Sequence, residues 1–431
     1  MTGPHDQPTV PTSFWQYVGS LGPGLIVALT WLGAGDLVDS AIAGGNYGYS
    51  LMWAMVIALF VRFVFVSIIA KYQLCNQHGE SVMAGLKRLH PWMPIFVGGV
   101  AIFFGHFYGS YMVKGLGEAS EQLTGFGPPW LWSVFWVTLA AVFIFRGAYR
   151  RLEVIFYVFL IMLSTSLIGV AVWSGPDPAA AAKGAFLFAV PEQSGSFGAL
   201  LVITSLIGAV GGSIGNLLYP YFIQQKGWQG PRFRRVQLYD LAFGTAVLVI
   251  INLSVWTIGA ELLHPRGITI KNLDDLANLL TLTLGTLGGP IFYLGVFAAL
   301  YSSVIGSAVG FGYLLSDVAR VCSSKEPTHA RRIDVAHSRI YRVVAAWCLF
   351  SPLIWSLPGM PSFIALTLVA NAAAVVVLPI LCGGLWYMTA RTSFIGSAYR
   401  NRWWENSVLS GLFILSIWGA YQSVVAIAHY M

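Results

Sequence analysis

Residues 30–40 read Thr-Trp-Leu-Gly-Ala-Gly-Asp-Leu-Val-Asp-Ser. This stretch, TWLGAGDLVDS, lies inside the first long apolar run of the chain, yet it holds two glycines, Gly33 and Gly35, and two carboxylates, Asp36 and Asp39. In lipid, every backbone amide or carbonyl left without a partner is strongly unfavourable. A carboxylate at mid-membrane adds roughly 2.5–3.5 kcal/mol on insertion scales. A chain tolerates both only where the interrupted backbone lines a cavity or meets a ligand. Glycine permits the required φ/ψ and a close backbone approach. The stretch therefore predicts a membrane helix broken near its centre, offering carbonyls on one side of the break and positive half-helix ends on the other.

The rest of the chain supplies the membrane. Its 431 residues are 57% hydrophobic and 10% charged, with a mean hydropathy of +0.71. Soluble domains run at roughly 45–50% apolar and about 25% charged. Continuous apolar runs of about twenty residues, each enough to cross a ~30 Å hydrocarbon core, recur from end to end. Their continuity excludes a barrel. Eleven spans are expected, at 19–44, 49–72, 93–122, 128–146, 151–174, 197–225, 236–262, 287–316, 338–357, 361–388 and 406–429. The prediction is an all-α polytopic membrane protein, one membrane domain over 1–431, set in a prokaryotic plasma (inner) membrane. The polar N-terminus, MTGPHDQPTVPTSF, lacks a basic region followed by an apolar core, so no cleavable signal peptide is expected.

The net charge of +7 reads as topology, not as a nucleic-acid footprint. Of 24 Lys and Arg residues, 19 fall in the segments 71–90, 146–151, 226–235, 320–342 and 391–402, and the opposite loops hold only Lys183, Arg266 and Lys271. The positive-inside rule then puts the N-terminus in the cytoplasm and the C-terminus outside. Cys75 and Cys322 fall on cytoplasmic loops, Cys348 and Cys382 within spans, and nothing suggests disulfides or a zinc site. No Walker loop, zinc-ligand cluster or nucleophile triad appears, so no enzyme, cofactor or protein partner is implied. The expected partners are the bilayer and a small solute or ion, with a co-transported proton as the candidate coupling ion.

An echo of the opening stretch occurs five spans later. Gly208-Ala-Val-Gly-Gly-Ser-Ile-Gly215-Asn216 lies at the centre of the sixth span and is followed by Pro220. Close helix packing alone would explain one glycine-rich span. Two at matching positions point to a secondary transporter with inverted repeats, here 19–174 and 197–388, with 406–429 as an extra span.

Several stretches in the right order resemble the Nramp family of divalent-metal transporters. They are GPGLIVALTWLGAGDL with AGGNYGYSLMW, the seventh span from Asp240 through Asn252 to GAELLHPRG, LGTLGGPIFYLGVFAALYSSVIGS, and Asn371 eight residues before Pro379. The resemblance implies a LeuT-type fold with a 5+5 inverted repeat, spans 1 and 6 broken, and alternating access. It also places the carbonyls of Thr30 and Val210 toward the substrate and Asn371 at the site. The departures are specific. The family's metal-binding aspartate falls on Gly33 and its neighbouring asparagine on Asp36, in the run Gly33-Ala34-Gly35-Asp36. Its metal-binding methionine falls on Ser213, and its proton-linked histidine on Gly215, next to Asn216. An acidic residue of its third span falls on Lys114.

Asp36 is thus the central candidate, as a cation ligand, a proton acceptor or the partner of Lys114. Asp39, three residues on, would line an outer vestibule or cap the outer half-helix. Ser213 offers a hydroxyl, and Asn216 either meets the substrate or ties down the broken backbone. Lys114 either pairs with Glu118 four residues later or supplies a fixed charge in place of a coupling cation. His106 is a relay member or a satisfied helix histidine. Loss of the thioether removes a soft ligand, and the small residues Gly33 and Ser213 enlarge the site. Both changes favour a small polar organic solute. The alternative is a divalent metal ion, magnesium or manganese, held by Asp36 and carbonyls, because magnesium needs only one or two carboxylates and keeps its waters. A sensor that moves nothing is the remote alternative.

Overall fold

A backbone in lipid must satisfy its own hydrogen bonds, so apolar runs of this length become helices. The computed structural model describes residues 10–13, 15–17, 35–146, 150–191, 197–211, 213–323 and 338–430, with no β-strand among them. The helices used below are α1 (Gly35–Tyr47), α2 (Met52–Cys75), α3 (Val82–Leu89), α4 (Trp92–Thr124), α5 (Pro129–Arg146), α6 (Arg150–Trp173), α7 (Pro178–Phe186) and α8 (Ala199–Leu206). They continue as α9 (Tyr219–Gln225), α10 (Arg234–Ile258), α11 (Leu273–Leu284), α12 (Gly288–Ser323), α13 (Arg339–Phe350), α14 (Phe363–Val375), α15 (Leu378–Ala390) and α16 (Trp403–Tyr430).

Among the described residues, seven helical runs are long and apolar enough to cross a membrane: Met52–Cys75, Trp92–Thr124, Ala199–Gln225, Pro231–Arg266, Leu273–Ser323, Phe363–Ala390 and Trp403–His429. The expected fourth and fifth spans contain the shorter apolar helices Pro129–Phe145 and Ile161–Trp173. The ninth is α13 continued by a 3₁₀ segment, Ser351–Ser356. Of the first, the part from Gly35 onward is α1 and the rest lies outside the described residues. Large apolar side chains stay on the outside of the bundle, among them Ile161 (62% exposed), Ile414 (67%) and Val424 (55%). That surface suits lipid rather than water.

The sixth span is interrupted as expected. α8 stops at Leu206, and a π-helical turn, Ile207–Gly211, follows. Ser213 is then extended (φ −62°, ψ 130°), Ile214–Leu218 winds as 3₁₀ helix, and α9 resumes the direction. Such π turns recur at functional sites. The break packs backbone to backbone on α14: a Cβ on Gly208 would lie 1.8 Å from the Asn371 carbonyl oxygen. α1 approaches α10 as closely, since a Cβ on Gly44 would fall 2.4 Å from the Trp256 oxygen. Small residues at helix interfaces permit this in membranes. Around the break, α2 lies along the π turn, α14 packs on α8 and α1, and α4 packs on the long α12.

Candidate functional site

Asp36 stands on α1, one residue into its described part. Its carboxylate is 1% exposed and faces an arginine from another helix. Arg62 Nη1 donates to Asp36 Oδ2 at 2.8 Å, and Nη2 reaches Oδ1 at 3.5 Å. Arg62 Nη2 also donates at 2.7 Å to the carbonyl oxygen of Ala209, in the π turn. Arg62 is itself 1% exposed, in the middle of α2. A charge so buried persists only when paired and hydrogen-bonded. The guanidinium therefore clasps two oxygens that a hard cation would use, one carboxylate and one main-chain carbonyl.

One turn further along α1, Asp39 is fully buried. Its oxygens accept from Ser205 Oγ at 2.9 and 2.8 Å and from Asn371 Nδ2 at 3.1 Å. It joins α1 to α8 and α14, closed in by their side chains rather than opening on a vestibule. Ser213 Oγ accepts from the Gly215 amide at 3.1 Å and donates to Tyr108 Oη at 3.2 Å, so the hydroxyl caps the 3₁₀ turn it begins. Asn216 is buried within that turn.

These elements enclose a cavity of about 50 Å³. α1 contributes Gly35 and Asp36, α4 contributes Tyr108, Tyr111 and Met112, and α12 contributes Ser307 and Phe311. Ala209, Ser213, Gly215 and Leu218 come from the interrupted span, and Asn371 from α14. One water takes up roughly 30 Å³ of liquid, and pockets for organic ligands run to roughly 300–1,000 Å³. Of the two positions expected to enlarge the site, Gly33 lies outside the described residues, and Ser213 lines the cavity together with Tyr108 and Tyr111 of α4. Among the described residues no group of three His, Cys, Asp or Glu could hold a metal. A cation here would rely on Asp36 with amide, hydroxyl and carbonyl oxygens.

Electrostatics limits what can share this space. Two unit charges 4 Å apart interact by about 4 kcal/mol at an effective dielectric constant of 20. A dication beside an undisplaced guanidinium would meet roughly twice that as repulsion, and Arg62 cannot lose its proton to relieve it.

Other expected site residues lie elsewhere. Lys114 Nζ donates to the main-chain oxygens of Trp355 at 3.4 Å and Met360 at 3.3 Å. It does not line the cavity, and no ion pair with Glu118 forms within 4.0 Å among the described residues. The cause is helix phase: at 3.6 residues per turn, Lys114 points roughly 110–130° away from the face that carries Tyr108, Tyr111 and Met112. Glu118 also lies outside the lining. His106 Nδ1 pairs with Ser351 Oγ at 2.9 Å, and Nε2 accepts from the Trp355 indole at 2.9 Å, so both ring nitrogens are satisfied. Val210 belongs to the π turn through its main chain. Thr30 and Gly33 fall outside the described residues.

Sequence reasoning missed Arg62, Ala209, Met112 and the tyrosines. Arg62 had a signal, being an arginine amid MWAMVIALFVRFVFV, and an intramembrane charge is functional by default. Met112, a thioether-bearing residue, joins the cavity lining from α4 instead of the interrupted span.

Solved structures share this fold. A manganese transporter of Eremococcus coleocola, crystallised with an aromatic bis-isothiourea compound, superposes with a TM-score of 0.75 at 16% identity, covering 98% of this chain and 89% of that one. MhsT in complex with L-phenylalanine gives 0.54 at 15% identity, over 94% and 98% of the two chains. The fold is thus that of the LeuT-type secondary transporters, all-helical with an interrupted sixth span. A family model for natural resistance-associated macrophage protein-like chains matches residues 24–426. The chain belongs to the Nramp family. Its relatives include the divalent metal cation transporter MntH of Chromohalobacter salexigens, 23% identical over 319 residues, which are 69% of this chain and 70% of the relative. MntH of Deinococcus radiodurans is 23% identical over 312 residues, 67% of each.

Proposed function

We propose that this chain is a secondary transporter that carries a divalent metal ion across a prokaryotic plasma membrane by alternating access. The single observation that carries the reading is the cavity of about 50 Å³ walled by Asp36, Ala209, Ser213 and Asn371. Its volume is well below the roughly 300–1,000 Å³ of pockets that hold organic ligands. The preference for an organic solute is thereby withdrawn. The Eremococcus and MntH relatives, named for manganese and for divalent metal cations, support the same direction.

In this reading Asp36 is the charged ligand, joined by main-chain, amide and hydroxyl oxygens. An oxygen-rich site with one carboxylate suits a hard or partly hydrated ion such as magnesium, and the Met112 thioether extends the range toward manganese. Asp39, buried and hydrogen-bonded by Ser205 and Asn371, is the candidate carrier of a coupled proton. The interrupted elements move against a scaffold that includes α4 and α12, with 19–174 and 197–388 as inverted halves and the N-terminus cytoplasmic.

Calorimetry of the purified chain with manganese and magnesium, paired with flux into proteoliposomes, tests the reading. Binding in the micromolar-to-millimolar range is expected, reduced at least tenfold by Asp36→Ala. No heat and no flux at millimolar metal, in wild type, would overturn it.

A further inference from the structure

The oxygens available to a cation at Asp36 are already in use. The Arg62 guanidinium holds the Asp36 carboxylate at 2.8 Å and the Ala209 carbonyl at 2.7 Å, with both charged side chains 1% exposed. The three residues come from three different elements. Arg62 stands on α2, a helix continuous over Met52–Cys75. Ala209 lies in the π turn that interrupts the sixth span, and Asp36 on α1. A shift of α1 or of the π turn relative to α2 therefore makes or breaks these contacts.

We infer that Arg62 and the transported cation take the Asp36 carboxylate in turn, the arginine acting as a tethered counter-ion that displaces the cargo and neutralises the empty carrier. This rests on the metal-ion reading above. The guanidinium is permanently charged and planar, and its fork spans a carboxylate and a carbonyl at once. It stands in chemically for the bound ion: cation charge, oxygen partners, and no loss of that charge by deprotonation. A dication arriving at Asp36 is repelled by the guanidinium beside it, which favours pushing it aside. When the cation leaves, Arg62 returns, and the cavity is neutral without any second ion. The fixed charge that the sequence suggested for Lys114 is thus supplied by Arg62 instead.

Two consequences follow. Cargo affinity is weakened in proportion to the fraction of time the arginine leaves Asp36 free. The empty carrier can reorient because its carboxylate is never left uncompensated in a low-dielectric interior.

The test uses Arg62→Gln and Arg62→Lys in the full-length chain, titrated with manganese chloride by calorimetry and assayed for transport in proteoliposomes. Arg62→Gln is expected to bind manganese about 10–100-fold more tightly than wild type, the range set by an arginine that frees the site about 1–10% of the time. Net uptake into metal-free vesicles should fall at least tenfold, while exchange of external for internal manganese persists. That split between net uptake and exchange is not expected of a purely structural arginine. Arg62→Lys keeps the charge but loses the fork, and should tighten binding about two- to fivefold; it carries the test if the glutamine variant fails to fold. Affinities equal to wild type in whichever variants fold, or net uptake and exchange lost together, overturn the inference while leaving the metal reading intact. Absence of manganese and magnesium binding in wild type and variants alike overturns both.

Discussion

Arg62 is buried to 1% in an apolar stretch of α2, and its hydrogen bonds to Asp36 and Ala209 explain how that is tolerated. Asp36 was legible in the sequence because a carboxylate in an apolar run is costly wherever it points. The arginine is costly for the same reason, but its meaning depends on its partner, and the partner lies 26 residues away on another helix. Met112 was illegible altogether, since a methionine in a membrane helix looks like ordinary packing. Its place in the cavity wall leads to a selectivity prediction. Met112→Leu keeps the volume and removes the sulfur, so affinity for cadmium and manganese should drop about three- to tenfold while magnesium is unchanged, measured by competition calorimetry; soft thioethers favour the softer ions. An equal loss for all three ions would assign Met112 to packing alone.

At the scale of the element, the sixth span carries the most information. Its glycines predicted the interruption, and the structure describes how it is built: a π turn, an extended Ser213, then a 3₁₀ turn capped by that serine. Gly208 is required there by contact, since its α-carbon lies against the Asn371 main chain with no room for a methyl group. Gly208→Ala should therefore force α14 away from the π turn. Overpacking of this kind typically costs about 1–3 kcal/mol, and the expected outcome is a melting temperature several degrees lower, with metal binding reduced, in detergent-solubilised protein followed by intrinsic fluorescence. A variant that melts and binds like wild type would show that the two elements are free to separate. α4 illustrates the opposite case. The helix was correctly placed, but its rotation was not, and Lys114 proved to reach the carbonyls of Trp355 and Met360 instead of the cavity.

For the whole molecule, orientation remains a proposal with a direct test. Cys75, Cys348 and Cys382 are buried and Cys322 is exposed, near the end of α12 in the basic segment expected to face the cytoplasm. A membrane-impermeant maleimide should label Cys322 in inside-out vesicles and leave it unlabelled in right-side-out vesicles or intact cells. Labelling from the outer side would reverse the topology, and the charge distribution along the loops would then need another cause.

Composition and pattern alone determined that this is a helical membrane protein with a glycine-interrupted sixth span and an acid placed where only a ligand or a partner justifies it. They could do so because lipid penalises unpaired backbone and buried charge whatever the tertiary arrangement. Tertiary structure decided what the acid faces, how large the cavity is and which helix supplies its sulfur. Those answers depend on the phase of α2 and α4 about their axes, and a helix's phase is set by its neighbours as much as by its own residues.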